Sequence, residues 1–198
     1  MTNWTMTIRI IAVAKSLKKP LDELKDRIDK LVPDKNYPHD LFVIITLQEA
    51  IEAALEGNFG VGAVLVRNYK EIVQRGHNRV FSPYFRSDLH AEMDVMTKFE
   101  ERHKKVERMN SYMLFSSIEP CPMCLERLIT SGVRKVYYAA IDQEGGMANR
   151  LAYMPSEWRE LAERQDFRLA DCSPELSEIA LRVFMETVEK NDSRLRRR

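Results

Sequence analysis

From residue 40 onward the sequence alternates between helix-like and strand-like segments, and this alternation is what most constrains its fold. Apolar residues recur at helical spacing from about Asp40 to Glu56 and from Leu89 to about Arg102. Val61–Val66 and Val133–Ile141 are instead β-branched runs typical of buried strands. The predicted order is one helix, two strands, three helix–strand pairs and a last helix. Because such alternation produces a sheet covered on both faces by helices, we predict an α/β fold: a three-layer α/β/α sandwich around a mixed five-stranded sheet.

The remaining elements follow from the same patterns. Turn residues 68–70 predict that Glu71–Gly76 returns as a hairpin partner of the first strand, and Gly57 and Gly132 are predicted to end helices. The other predicted segments are the strands Tyr112–Ser117 and Phe167–Ala170 and the helices Cys121–Ser131, Ser156–Gln165 and Pro174 to about Lys190. The later strand–helix–strand units should be parallel, with right-handed crossovers.

The first part of the chain is predicted to be an addition to this unit. We expect residues 1–37 to form an N-terminal extension with a short amphipathic helix between Pro20 and Pro33, and residues 38–198 to form one domain. The apolar stretch Ile8–Leu17 is interrupted by charges and resembles neither an export signal nor a membrane span of about 20 residues. We therefore expect a cytoplasmic protein with no membrane partner.

The charge of the chain is nearly balanced. It has 31 basic and 30 acidic side chains and a formal net charge of +1. This excludes a strongly basic footprint over the whole chain, although not a local basic patch for nucleic acid. The run Arg194–Arg198 is predicted to be a frayed, solvated end, with contact to RNA phosphate as the alternative.

Two short motifs, each at the predicted start of a helix, carry residues that can hold a metal ion: His90-Ala91-Glu92 and Pro120-Cys121-Pro122-Met123-Cys124. One imidazole and two thiolates are three zinc ligands, and they leave one tetrahedral position open, as catalytic zinc sites require. A helix N-terminus favours the thiolate, and the one-turn spacing lets both sulfurs reach one ion. The sequence therefore predicts a catalytic zinc site formed by His90, Cys121 and Cys124.

Glu92 lies two residues after His90, which directs its carboxylate towards the open position. There it can take a proton from an activated water and pass it to a substrate, so we predict it to be the catalytic general acid and base. The alternative is a structural zinc site or two buried free thiols, beside which Glu92 would have no purpose. Cys172 is predicted to be a buried bystander. The remaining histidines, His39, His77 and His103, are predicted to be non-catalytic.

Together these motifs resemble the cytidine deaminase-like family, and in particular its guanine deaminase and tRNA adenosine deaminase branches. The resemblance covers roughly residues 41–145 and includes Gly62–Val66, Gly76–Arg79, His90–Glu92 and Glu119–Cys124. It implies the cytidine deaminase-like fold, a Zn²⁺ cofactor on His90, Cys121 and Cys124, and proton transfer by Glu92. It also implies a homodimer.

The resemblance further implies three substrate-binding positions. Asn78 matches an asparagine that hydrogen-bonds the substrate base, and the Ala91 amide matches a backbone contact to the ring. Glu144 follows the last buried strand, near where guanine deaminase-like relatives place an acidic substrate-binding residue. For Asn78 the alternative is a turn residue after a strand, and both roles can hold together; for Glu144 it is a solvated loop.

The sequence departs from the family pattern around the expected pocket. The segment before His90 reads Arg86-Ser87-Asp88-Leu89 and follows a longer stretch, Phe81–Phe85. Gly60 stands where relatives have proline before the first strand. These changes affect the identity of the substrate rather than the type of reaction.

We therefore expect a zinc-dependent hydrolytic deaminase of purine or pyrimidine metabolism that removes an exocyclic amine and releases ammonia. The near-zero charge favours a small-molecule substrate, a nucleobase or nucleoside of guanine or cytosine type. The alternative is adenosine in a tRNA loop, flipped into the pocket; a second is a non-catalytic zinc-binding interaction module. Clustered Arg and Lys around Asn78 and the pocket mouth would favour RNA.

Overall fold

The computed structural model describes residues 19–198, so the stretch Ile8–Leu17 and the first half of the predicted N-terminal extension lie outside the described residues. The helices are α1 (19–28), α2 (Asp40–Leu55), α3 (Ala91–Arg102), α4 (Pro122–Ser131), α5 (Ser156–Ala162) and α6 (Pro174–Leu195), with a 3₁₀ helix at Ala148–Tyr153. The strands are β1 (Gly62–Arg67), β2 (Glu71–His77), β3 (Tyr112–Ile118), β4 (Lys135–Ala140) and β5 (Asp166–Leu169).

The five strands form one mixed sheet in the order β2-β1-β3-β4-β5. β1 pairs antiparallel with both β2 and β3, whereas β3–β4 and β4–β5 are parallel. Helices cover both faces: α1, α2 and α6 pack on one apolar cluster, and α3 and α4 pack on the other. The predicted fold class is therefore confirmed.

Helix boundaries differ from the sequence prediction where the chain makes special contacts. α3 and α4 begin one or two residues later than predicted, because His90 and Cys121 are N-cap residues with extended backbone (ψ 165° and 170°). α6 continues to Leu195 rather than stopping near Lys190. The helical end carries Arg194, whose guanidinium lies 3.7 Å from the ring centre of Phe81, so this part of the tail is anchored rather than frayed.

Turn and helix-end predictions hold. Gly57 and Gly132 follow α2 and α4 with positive φ values of 89° and 72°, the left-handed conformation in which glycine commonly ends helices. Asn68 and Tyr69 form the β1–β2 turn, both with positive φ (53° and 54°). Two left-handed residues in succession match the right-handed twist of a tight hairpin.

The described half of the N-terminal extension is part of the main core. Leu21, Leu24 and Ile28 on α1 are buried in the same cluster as α2 and α6. Arg27 also forms ion pairs with Glu175 and Glu178 of α6. Between residues 19 and 198 no helix combines the length and apolar character needed to cross a membrane.

Gly60 allows α6 to approach the sheet closely. A Cβ at this position would lie 2.5 Å from the carbonyl oxygen of Val183, and the Gly60 amide donates a 2.9 Å hydrogen bond to Thr187 Oγ1. The departure from the family pattern at this position is thus explained by the close approach of α6.

We predict that Gly60→Ala lowers the free energy of unfolding by about 1–3 kcal/mol, because the added methyl group meets helix backbone that cannot move aside cheaply. Urea denaturation of both proteins measures this difference. The control is Gly57→Asn, at a positive-φ position with open space, which should cost less than about 1 kcal/mol. Equal stability of Gly60→Ala and the wild type would contradict the close packing of α6.

Candidate active site

The three predicted metal ligands lie together at the start of two helices. His90 Nδ1 and the Cys121 and Cys124 sulfurs all lie within 4.8 Å of one another, and Cys121 Sγ is 3.5 Å from His90 Nδ1. His90 and Cys121 are the N-cap residues of α3 and α4, and Cys124 lies in the first turn of α4. Their grouping follows from the convergence of these two helix starts beside the end of β3.

The geometry and chemistry of these donors fit a zinc ion. Tetrahedral zinc with ordinary Zn–S and Zn–N bonds separates a sulfur from a nitrogen ligand by about 3.6 Å, close to the spacing between Cys121 and His90. Within residues 19–198 no fourth His, Cys, Asp or Glu joins this cluster. The site therefore keeps one position open, as a catalytic zinc site requires.

The protein environment prepares these side chains to bind a cation. Hydrogen bonding from Cys124 and the neighbouring His90 lower the pKa of Cys121 to about 4. The pKa of Cys124 is raised well above its ordinary value because its thiol donates to Cys121 and is buried. Burial acts to lower the pKa of His90, but the adjacent Cys121 thiolate gives a net increase. A divalent cation would displace the remaining protons, as ligand binding to zinc requires.

Glu92 lies on the first turn of α3, with only 3% of its surface exposed. Its Oε1 accepts a 3.1 Å hydrogen bond from the Ser116 hydroxyl on β3. Burial raises the pKa of the Glu92 carboxyl, and the neighbouring Cys121 thiolate adds to this effect. A carboxyl group whose pKa is raised in this way is better suited to accept a proton and to return it than an exposed glutamate.

Next to these groups is a cavity of about 220 Å³. Its polar lining consists of Asn78, His90, Glu92, Glu119, Cys121, Asp142 and Asp192, and its apolar lining consists of Phe59, Val61, Ile118, Phe184 and Leu195. Neither lysine nor arginine occurs among the described residues that line it. The cavity thus has apolar walls suited to a ring and several hydrogen-bond acceptors.

The predicted substrate-binding residues fall in different places. Asn78 is buried and lines the cavity, while its Oδ1 accepts a 3.2 Å hydrogen bond from the Val80 amide, so the turn role and a position in the pocket coexist. Ala91 is buried as the first residue of α3. Glu144 is exposed and does not line the cavity. Asp142 lines it instead, and its Oδ1 accepts the amides of Glu144 and Gly145.

Sequence reasoning missed several cavity residues. Glu119 is 4% exposed, and its carboxylate accepts the Asn149 backbone amide at 2.8 Å and side-chain amide at 3.4 Å. Its place directly before Pro120-Cys121 was a usable signal, because it is adjacent in sequence to a predicted metal ligand. Phe184, Asp192 and Leu195 come from α6, and their helical spacing alone indicates nothing about a pocket.

The remaining candidates have structural roles. Cys172 is buried and contacts Ser177 Oγ at 3.4 Å, and all three cysteines are free thiols. His39 Nδ1 accepts the Asp171 amide at 2.8 Å, and burial lowers the pKa of His39, so the ring is neutral. His77 ends β2 and contacts Glu49 of α2 and Glu56, the residue that caps the end of α2, at 2.9 and 3.3 Å.

Comparison with known proteins identifies relatives of this arrangement. Residues 38–140, just over half of the chain, match the cytidine and deoxycytidylate deaminase zinc-binding region. The tRNA-specific adenosine deaminase of Bacillus subtilis is 36% identical over 122 residues, which are 61% of this chain and 73% of that protein. The corresponding protein of Aquifex aeolicus is 32% identical over 107 residues, 54% of this chain and 69% of its own length.

Solved structures show the same fold. A structure from a study of A-to-I editing by tRNA:A34 deaminases at the wobble position of transfer RNA superposes with a TM-score of 0.61 and 25% identity, over 72% of this chain and 98% of the other. A guanine deaminase from Nitrosomonas europaea superposes with a TM-score of 0.57 and 19% identity, over 80% and 86%. At that identity the guanine deaminase supports the fold alone.

We predict that Cys124→Ala lowers bound zinc far below one ion per chain, because two remaining ligands hold zinc poorly. Metal content after dialysis, measured by inductively coupled plasma mass spectrometry, checks this. Cys172→Ala is the matched control and should retain the wild-type zinc content. Full zinc occupancy in Cys124→Ala would contradict the assignment of this ligand.

We predict that His77 makes stability depend on pH. Hydrogen bonding to Glu49 raises the pKa of His77 in spite of partial burial, and the Glu56 charge contributes in the same direction. Its stabilising effect is therefore complete below the unfolded-state pKa near 6.5 and is lost as pH rises through the higher folded-state pKa. The difference in unfolding free energy between wild type and His77→Gln should be larger at about pH 6 than at about pH 9.

Urea titrations at both pH values measure this difference. The pKa of His39 is lowered rather than raised, so its pH dependence is reversed. The difference in unfolding free energy between wild type and His39→Gln should shrink as pH falls below 6.5. The same pH trend in both variants would contradict these assignments.

Proposed function

The chain belongs to the family of deaminases that share the cytidine and deoxycytidylate deaminase zinc-binding region, and from that membership and the charge pattern of the site we propose that it converts adenosine to inosine in a tRNA. As a member of this family it is a zinc-dependent hydrolytic deaminase that acts on a nucleobase or nucleoside. The proposal concerns the identity of the substrate.

The observation that carries this proposal is the separation of charge between the cavity and its rim. The cavity contains Glu119, Asp142 and Asp192 besides Glu92 and no described cation, so it suits a neutral base and disfavours a phosphate. Leu195 lines the cavity, and its neighbour Arg194 and the nearby Arg198 lie 3.7 Å from the ring centres of Phe81 and Phe85. We infer that these arginines stand at the rim of the cavity. Arg196 and Arg197 are exposed.

This pattern matches what a base flipped out of a polynucleotide needs. The base enters a pocket without cations, while its phosphodiester backbone stays outside, where guanidinium groups neutralise it. Arg194 and Arg198 contact Phe81 and Phe85 of the segment that follows Asn78, which supports an RNA substrate. The named activity of the Bacillus subtilis and Aquifex aeolicus relatives supports the same substrate.

A free guanine- or cytosine-type base is the second candidate. The cavity is small, and α6 contributes Phe184, Asp192 and Leu195 to its wall, which favours a small ligand. Arg194 also donates to the Gly57 carbonyl oxygen at 2.9 Å, so part of its hydrogen-bonding capacity is already used inside the protein. This candidate and the tRNA proposal predict that different substrates in one panel are deaminated.

The chemistry follows from the positions of the side chains. A zinc ion held by His90, Cys121 and Cys124 would supply Lewis acidity that activates a water molecule near neutral pH. Glu92 takes a proton from that water and delivers it to ring nitrogen N1 of adenine as the water oxygen bonds to C6. The same carboxyl group then passes the second water proton to the amine, the C6–N6 bond breaks, and ammonia leaves.

The neighbouring groups bind and orient the base. We propose that the Asn78 side-chain amide and the Ala91 backbone amide hydrogen-bond the ring, because Asn78 lines the cavity and Ala91 lies between His90 and Glu92, which also line it. The apolar walls from Phe59, Val61 and Ile118 exclude water from the reacting carbon, which strengthens these interactions.

The cellular setting belongs to the same proposal. Three free thiols and a tRNA substrate are consistent with the cytoplasm, where cysteines stay reduced. The homodimer implied by the family resemblance stays a prediction. Analytical ultracentrifugation of the purified protein tests it.

We predict that the protein releases ammonia from a tRNA with adenosine at the wobble position and forms inosine there. The panel includes the same tRNA with guanosine at that position, and also free adenosine, guanine, guanosine, cytosine and cytidine. Ammonia release and nucleoside mass spectrometry measure the products. Glu92→Gln is the control, expected to keep zinc and to lower kcat by about 10²–10⁴-fold or more.

Two results would contradict this proposal. Ammonia from guanine or cytosine, with none from the adenosine-containing tRNA, would favour the small-base candidate. Wild-type turnover by Glu92→Gln would show that another group transfers the proton.

A further inference from the structure

Ser116 is an unexpected residue for its position on β3. Leu114, two residues earlier on the same face of the strand, lies in the apolar cluster under α3 and α4. Ser116 pairs across the sheet with Ala63 of that cluster. It is completely buried, and its hydroxyl donates to Glu92 Oε1 at 3.1 Å. A buried hydroxyl is costly unless it is hydrogen-bonded, and here the partner is the predicted proton carrier.

We propose that Ser116 is a positioning residue for deamination, which fixes the Glu92 carboxylate so that its second oxygen faces the substrate. The proposal rests on the proton-transfer role given to Glu92 above. Ser116 contacts neither the metal ligands nor the base pocket among the described contacts, so it acts through Glu92.

The hydrogen bond gives the two carboxylate oxygens different tasks. Oε1 accepts the Ser116 donor, and under this proposal Oε2 exchanges a proton with water and with the base. A fixed donor on a rigid central strand also restricts the rotation of the carboxylate about its side chain. Such preorganisation lowers the cost of reaching the reactive geometry, because little rearrangement accompanies proton transfer.

Simple packing does not explain the serine. Alanine would suit a position paired with Ala63 of the apolar cluster without introducing a polar group. The adjacent Ser117 has a different task, since its Oγ accepts the Gly62 amide at 3.1 Å and ties β3 to β1. Ser116 therefore hydrogen-bonds the predicted proton carrier, whereas the adjacent Ser117 hydrogen-bonds the backbone. This difference makes Ser117 a suitable control for Ser116.

The test compares Ser116→Ala with Ser117→Ala in zinc-loaded protein, on whichever substrate of the panel the wild type deaminates. Ser116→Ala should lower kcat about tenfold, with KM within about twofold, unchanged zinc content and little loss of stability. Ser117→Ala should lower stability without this selective loss of kcat. Ser116→Thr keeps the hydroxyl and should restore most of the rate, and it also serves as the variant to measure if Ser116→Ala does not fold.

A double-variant cycle tests the route of the effect. If Ser116 acts through Glu92, Ser116→Ala should cause no further loss in a Glu92→Gln background. Full kcat in Ser116→Ala, or equal losses in both backgrounds, would overturn the proposal.

A crystal structure of zinc-loaded Ser116→Ala separates this proposal from the proposed function, because it needs no substrate. The Glu92 carboxylate should rotate away from its wild-type position. An unmoved carboxylate would overturn the positioning role even if the tRNA proposal holds. A moved carboxylate would support it even if the substrate proves to be a free base.

Discussion

The convergence of two helix N-termini at the carboxyl end of β3 is the constraint on which this site depends. All seven residues of β3 are buried between β1 and β4, so the end of this strand is held rigidly. The chain leaves β3 through Pro120 and starts α4 at an extended Cys121, while α3 starts at an extended His90. Both helices therefore direct a ligand and the positive end of their dipoles at one point. This arrangement also brings Cys124 and His90 next to Cys121, and their hydrogen bonds lower the pKa of the Cys121 thiol.

The predictable part of the site is the part encoded within single helix turns. His90 and Glu92 share the first turn of α3, and Cys121 and Cys124 share that of α4, so their spacing alone specifies how they are displayed. Ser116 and Glu92 are 24 residues apart and meet only because β3 lies beneath α3. No local sequence pattern could predict this hydrogen bond.

Two of the places where sequence reasoning and structure differ show the separate effects of local and long-range contacts. Glu144 was expected at the pocket because it follows β4, yet Asp142 draws the amides of the turn onto its own carboxylate and leaves Glu144 exposed. The end of α6 was expected to be frayed, yet Arg194 stacks on Phe81, a residue distant in sequence. The Arg194 contact is long-range and arises only in the folded chain. The Asp142 turn is local, and an Asp that accepts amides two and three residues later is a pattern that the sequence itself could have indicated.

The reacting groups and part of the cavity wall come from different regions of the chain, and this separation bears on the choice of substrate. The reacting groups lie within residues 38–140, which match the deaminase family, whereas α6 lies beyond them and supplies Phe184, Asp192 and Leu195 to the cavity. Across the described residues no hydrogen bond joins these three side chains to the ligands or to Glu92. Changes in α6 can therefore alter the shape and charge of the pocket while proton transfer stays intact. A net charge of +1 over the whole chain says nothing about local clusters, such as the carboxylates that line the cavity and the arginines near the end of α6.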